Sequence, residues 1–166
     1  MQTEFTGRVW LLGDDIDTDI IIPTEYLALE TVQEMAPYAF SPLRPELAAR
    51  IAPGDIIVAG KNFGCGSSRE QAPEILKALG LSAIVAKSFA RIFFRNAVNN
   101  GLLVLESAGL RDAVAEGERV AVQLGRCVRH NGVEYPLAPM AENVLEILEN
   151  GGLVPTMQKR NKAGRA

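Results

Sequence analysis

The chain has two cysteines, one histidine and one tryptophan among 166 residues, and this scarcity excludes whole classes of chemistry. Cys65 and Cys127 are too few for a disulfide framework, and with His130 they cannot make a four-ligand zinc or iron–sulfur set. Any metal cluster the protein works with must take its ligands from another chain. One histidine also leaves no Ser-His-Asp triad to argue for, and His130, beside Asn131-Gly132, reads as an exposed hairpin residue. Basic charge in excess is missing as well: 17 Lys and Arg stand against 20 Asp and Glu, a net charge of -3. Binding to a nucleic-acid backbone is therefore disfavoured. No apolar run is long enough to cross a bilayer, and Met1-Gln2-Thr3-Glu4 does not open a basic-then-apolar leader. The chain reads as soluble and cytoplasmic, with no membrane partner.

What is present is the composition of a globular domain, 48% apolar and 22% charged, long enough to bury a core. Phe5 to Leu12 reads as a strand, followed by the acidic loop Gly13 to Asp19 and a short apolar strand at Ile20-Ile21-Ile22 that stops at Pro23. From 24 to 44 the pattern weakens, with Pro37 and Pro42 breaking any long element. Such a stretch is usually functional or mobile, and it is the expected lid. A short helix at Pro45 to Ile51 leads into a buried strand, Asp55 to Ala59. Ala72, Ile75, Leu76 and Leu79 then recur at helical spacing before Gly80. A strand at Ala83 to Ala86, a helix from Phe89 to Asn99 and a strand at Leu102 to Leu105 complete two strand–helix units, which argues for an α/β fold with a parallel sheet. Beyond them the chain turns β-rich: a strand at Arg119 to Leu124, then a hairpin through Asn131-Gly132. A helix at Glu142 to Asn150 follows. The expected organisation is one domain over 1–156 and a flexible basic tail over 157–166.

The densest chemistry lies in Gly64-Cys65-Gly66-Ser67-Ser68-Arg69-Glu70, between a buried strand and a helical pattern. A helix start favours negative charge, because its first N–H groups lack partners and the peptide dipoles point their positive end outward. Two hydroxyls and a guanidinium there would suit a small carboxylate. The plainer account is helix capping: Ser67 has Glu70 three residues on and Ser68 has Gln71, worth about 1 kcal/mol. Capping does not require the glycines, which leave Gly64 and Gly66 free for positive φ where the chain passes close to a ligand. If a serine here is to act as a base, helix electrostatics supply at most ~2 kcal/mol, about one and a half pKa units. Arg69 and a nearby multivalent metal would have to supply the rest.

Other residues have two readings each. Asp14, Asp15, Asp17 and Asp19 do not have the spacing of a calcium loop. Cys65 is either a thiol activated by a helix start or a small loop residue. Arg91 and Arg95, one turn apart, read as a solvated face or a subunit contact.

Taken together, Asp17-Thr18-Asp19-Ile20-Ile21-Ile22-Pro23, Lys61-Asn62-Phe63-Gly64-Cys65-Gly66-Ser67-Ser68-Arg69-Glu70, Ser88-Phe89-Ala90-Arg91-Ile92-Phe93-Phe94-Arg95-Asn96 and Asn100-Gly101-Leu102-Leu103 carry a family resemblance. In this order they resemble the small subunits of 3-isopropylmalate dehydratases, the related homoaconitase-type small subunits and the swivel domains of aconitases. The similarity runs from about Phe5 to Val154.

The resemblance implies a swivelling β/β/α domain that docks on a large subunit bearing a [4Fe–4S] cluster. The cluster is held by the large subunit's own cysteines, none is bound by this chain alone, and small subunits can also self-associate. It implies a catalytic base at Ser67 and substrate-binding roles for Ser68 and Arg69. Asp17 and Thr18 brace the site from behind, along with the loop residues Gly64, Cys65 and Gly66. The implied reaction removes water from a 2-hydroxy diacid and adds it back at the neighbouring carbon, the iron acting as Lewis acid on the leaving hydroxyl. Tyr26, Leu27, Ala28 and Leu29 of the lid are apolar where relatives that read a distal carboxylate are expected to have an Arg near Ala28. That suits an alkyl side chain such as isopropyl, and so an isomerase of 2- and 3-isopropylmalate in leucine biosynthesis. Gln71 stands where many members have His, and Glu25 where a basic residue is frequent, which leaves methylmalate, dimethylmalate and homoaconitate as rival substrates. The rival from another class is a non-catalytic anion-binding or scaffold module.

Overall fold

The computed structural model describes residues 3–164. Met1, Gln2, Arg165 and Ala166, the outermost residues of the leader and tail readings, lie outside the described residues.

Seven strands form one sheet in the order β4-β3-β2-β1-β5-β6-β7. The parallel half comprises β1 (Glu4–Leu11), β2 (Ile56–Ala59), β3 (Ala83–Ala86) and β4 (Val104–Glu106). The antiparallel half adds β5 (Arg119–Gln123), β6 (Cys127–His130) and β7 (Val133–Pro136). β1 serves both halves: Val9, Trp10 and Leu11 pair with β2, while Glu4 to Arg8 pair with β5. β2 and β3 are buried at every residue, as parallel strands covered on both faces must be.

Of the helices, α1 (Thr18–Ile21), α2 (Val32–Met35) and α3 (Leu47–Arg50) precede β2, and α4 (Gln71–Ala78) and α5 (Arg91–Asn99) follow β2 and β3. The short α6 (Leu110–Ala113) lies between β4 and β5, and α7 (Glu142–Glu149) and α8 (Leu153–Gly164) end the described chain. Ala72, Ile75 and Leu76 of α4 and Phe93, Ala97 and Val98 of α5 enter the core. Among the described residues no helix is long and apolar enough to cross a membrane.

Four local readings change. Ile20-Ile21-Ile22 is not a strand, because the Asp17 carboxylate accepts the Ile20 N–H at 2.9 Å and caps α1, which Pro23 then cuts short. The stretch 24–44 holds short helical turns, at Thr24–Ala28, Val32–Met35 and Ala36–Tyr38, too brief to show a period. Its Met35, Ala36, Ala39 and Phe40 are buried. From Met157 to Gly164 the expected tail is helical, with Arg160 bonded to Glu146 at 2.7 Å. His130 is buried rather than exposed, sharing the inward face of β6 with Val128, and its Nε2 lies 3.0 Å from the Glu118 carboxylate.

Opposite the loops that carry the chemistry, Asp55 fastens the start of β2. Its carboxylate accepts from the Trp10 indole N–H at 2.8 Å, the Ala52 N–H at 2.8 Å and Arg8 at 2.9 Å. Burial pushes this carboxyl up, but the three donors outweigh burial and hold it below the usual carboxylate range. A group whose pKa is depressed by folding stabilises fully above its unfolded value and loses that contribution as pH falls through the folded value. Asp55→Asn should therefore cost about 1–3 kcal/mol near neutrality. In thermal unfolding, the gap from the parent protein should be widest at neutral pH and close as pH falls below about 4.

Candidate functional site

The loops leaving the carboxyl ends of β1, β2 and β3 converge, which is where open α/β sheets bind ligands. The loop after β2 is held from two sides. From the β1 side, the Gly64 N–H donates to the Ile16 carbonyl at 2.7 Å and the Thr18 N–H to the Cys65 carbonyl at 2.9 Å. The buried Thr18 hydroxyl donates to the Ser67 carbonyl at 2.6 Å. Asp14 accepts the Lys61 N–H at 2.7 Å, and the Asn62 side chain reaches Asp15 at 3.1 Å. From the β3 side, Phe63 donates its N–H to the Ser88 carbonyl at 3.1 Å and accepts from the Ala90 N–H at 2.9 Å.

Gly64 is required here. It has φ +84°, and a Cβ on it would lie 2.2 Å from the Phe93 ring. The close approach that the glycine permits is thus to the protein's own core, where Phe63 packs edge-on against Phe93 at 5.4 Å and Phe89 at 5.9 Å. Gly66 also has positive φ and sits beside Asp17 and Thr18.

Ser67, Ser68 and Arg69 open on a cleft of about 230 Å³ whose other walls include Thr18, Gly64, Gly66, Arg91, Phe93 and Asn96. Both serines are exposed. Neither caps α4, whose N-cap is Glu70 with no side-chain bond to the helix. The helix whose first residues line the cleft is α5, not α4. Arg69, with a side chain only 12% exposed, donates to the Ile22 carbonyl at 2.6 Å and the Thr24 hydroxyl at 2.8 Å and pairs with Asp19. It therefore closes the end of α1 as well as facing the cleft.

The structure does not bring Tyr26, Leu27, Ala28 and Leu29 into the cleft's walls. Tyr26 stacks on Tyr38 with centroids 4.0 Å apart, Leu27 and Leu29 are half-buried against the core, and Ala28 is exposed. Arg69 is bonded to Ile22 and Thr24, just ahead of that segment, and among the described residues to none of its four side chains. Arg91, read from the sequence as a solvated face or subunit contact, lines the cleft, and so does Asn96. Their place in the Ser88 to Asn96 motif was the only signal that could have marked them. Among the described residues no three His, Cys, Asp or Glu side chains gather to hold a metal. Cys65 is half-buried; burial, with Asp15 and Asp17 nearby, pushes its thiol up, opposite to the activated-thiol reading.

The family model of the aconitase C-terminal domain matches residues 44–109. The 3-isopropylmalate dehydratase small subunit of Lachnospira eligens is 65% identical, over 97% of this chain and 98% of that protein. The methanogen homoaconitase small subunit of Methanothermobacter thermautotrophicus is 48% identical, over 93% and 91%. The crystal structure of 3-isopropylmalate dehydratase from Methanocaldococcus jannaschii superposes with a TM-score of 0.92 at 38% identity, covering 98% of both chains.

A raised thiol pKa leaves little thiolate at neutral pH. Iodoacetamide labelling of Cys65, followed by mass spectrometry, should be slower than that of an unhindered thiol at pH 7 and should accelerate only above about pH 9.

Proposed function

Since the chain belongs to the aconitase-type family of 3-isopropylmalate dehydratase small subunits, we propose that it is the swivel half of a cytoplasmic hydro-lyase interconverting 2-isopropylmalate and 3-isopropylmalate in leucine biosynthesis. As a small subunit it works with a large one. Its own donor atoms do not fit a [4Fe–4S] cluster, with two cysteines and no gathered ligand set among the described residues. The cluster is therefore assigned to the partner, and the work left to this chain is to bind the diacid and move a proton.

One observation carries this reading: two exposed hydroxyls and a guanidinium open on one cleft from a loop braced on both sides. In the proposed reaction the Ser67 oxygen removes a proton from the carbon next to the one bearing the hydroxyl. The hydroxyl leaves its own carbon as hydroxide, hydroxide adds to the carbon that lost the proton, and Ser67 gives its proton to the carbon that lost the hydroxyl. Ser68 donates to a substrate oxygen. Arg69 takes a carboxylate in a forked contact that Lys would not reproduce. Asp19 holds that place in the free subunit and is 63% exposed, so one carboxylate can exchange for another. Thr18, bonded to the Ser67 carbonyl, sets the height of the loop, and Asp17 holds Thr18 in place by capping α1.

The apolar Tyr26, Leu27, Ala28 and Leu29, which stand outside the cleft walls of the subunit alone, are assigned the choice of an alkyl side chain in the assembled enzyme. One methylene changes affinity by only about 1–3 kcal/mol, so neighbouring diacids should be slow substrates rather than rejected ones.

The subunit alone should show no isopropylmalate turnover. Combined with its large subunit, Ser67→Ala should lose roughly 10²–10⁴-fold in kcat with KM little changed. If affinity fell first and kcat persisted, the loop would be an anion-binding module and not a source of the base.

A further inference from the structure

Two arginines stand apart from the others. Every other arginine among the described residues is tied to a carboxylate, to a carbonyl or hydroxyl oxygen, or to the face of the Trp10 ring. Arg91 and Arg95 are exposed and make no such contact to any described residue. Both lie on α5, one turn apart, and Ile92 beside them is 48% exposed. At helical spacing these three share the outward face, while Phe93, Ala97 and Val98 turn into the core. One unpaired surface arginine is ordinary. Two of them around an exposed isoleucine make a patch.

The patch runs into the site. Arg91 and Ile92 belong to the wall of the cleft that holds Ser67 and Ser68. On the other flank of Arg91, the side chains of Phe89, Phe94, Val104 and Met140 line a groove of about 290 Å³. Cleft, helix face and groove thus form one continuous surface in which apolar side chains alternate with guanidinium groups. Protein interfaces are enriched in this combination.

The occupant follows from the cleft. Among the described residues this chain has no ligand set for a cluster, so a group carried by the large subunit must reach the acid held at Ser67. Whatever closes over Ser67 also meets the first turn of α5, because that turn is part of the same wall. A second copy of this chain would instead cover the cleft with a surface that brings no cluster.

We propose that the outward face of α5, at Arg91, Ile92 and Arg95, is a docking surface for the large subunit, whose facing surface supplies carboxylates to the two guanidinium groups and apolar contact to Ile92. The proposal rests on the reading of the Ser67 cleft as the shared active site. It gives the two arginines a role in assembly, with no part in substrate binding or proton transfer.

The test titrates the small subunit with the large subunit and follows association by sedimentation at low and high salt. Arg91→Glu combined with Arg95→Glu should raise Kd at least tenfold at low salt, and the gap from the parent should narrow as salt rises. The milder pair Arg91→Gln and Arg95→Gln should fall between them. Thermal unfolding of both double variants should match the parent, since neither arginine is bonded within the fold. Arg95→Glu alone leaves the cleft walls intact; it should weaken association severalfold and still reach the parental kcat at saturating large subunit. A parental Kd in the double Glu variant overturns the proposal. So does self-association of the parent small subunit that the double Glu variant abolishes, which would give this face to a second copy. Ser67→Ala separates the claims. Normal turnover by that variant, beside lost docking in the double Glu variant, removes only the reading of Ser67. An inactive Ser67→Ala beside a parental Kd in the double Glu variant removes only the docking surface.

Discussion

The site depends on one constraint: the loop after β2 is pinned to the segment after β1 by Gly64 N–H to Ile16, Thr18 N–H to Cys65 and the Thr18 hydroxyl to Ser67. These bonds join parts of the chain nearly fifty residues apart, so they exist only once β1 and β2 are paired. Side-chain hydroxyls on an unpinned glycine-rich loop would sample many directions, at a cost of about 1–2 kcal/mol per residue to order. Here that ordering is completed by folding, before any substrate arrives. Pre-ordering of this kind is what lets a weak group such as a serine act in a defined geometry.

The second constraint is electrostatic. Arg69 is shared between α1, through the Ile22 carbonyl and Asp19, and the cleft, whose wall it forms with Ser67 and Ser68. It ties the short helical turn that begins at Thr24 to the loop after β2. Pairing with Asp19 also keeps the guanidinium satisfied in the free subunit. At the cleft this chain offers two exposed hydroxyls and a guanidinium, while of its two cysteines Cys65 is half-buried with a raised thiol and Cys127 is buried in β6.

Much of this was legible in the sequence. The strand–helix alternation from Asp55 to Leu105 has strong periods and clear glycine stops, and it yields the parallel half of the sheet. The Gly-Ser-Ser-Arg loop was visible because no simple structural need explains its glycines, hydroxyls and charge together. What failed did so for local physical reasons. Three isoleucines in a row look like a strand, but Asp17 caps the backbone into a turn of helix before a ladder can form. His130 faces inward because the hairpin's alternation carries it there beside Val128, and a partner twelve residues away, Glu118, is invisible to any local pattern. The two serines fit a capping box, yet α4 starts at Gln71 with Glu70 as its N-cap, so neither hydroxyl is at the capping position. Arg91 read as surface because exposure and a cleft wall look alike in one dimension.

The central claim is that the Thr18 hydroxyl sets the position from which Ser67 acts. Thr18→Val keeps the branched shape and removes only the bond to the Ser67 carbonyl. Steady-state turnover of the assembled variant tests this most directly. The account predicts that kcat falls at least tenfold with KM for 2-isopropylmalate and subunit association nearly unchanged. A kcat equal to that of the parent enzyme would contradict it.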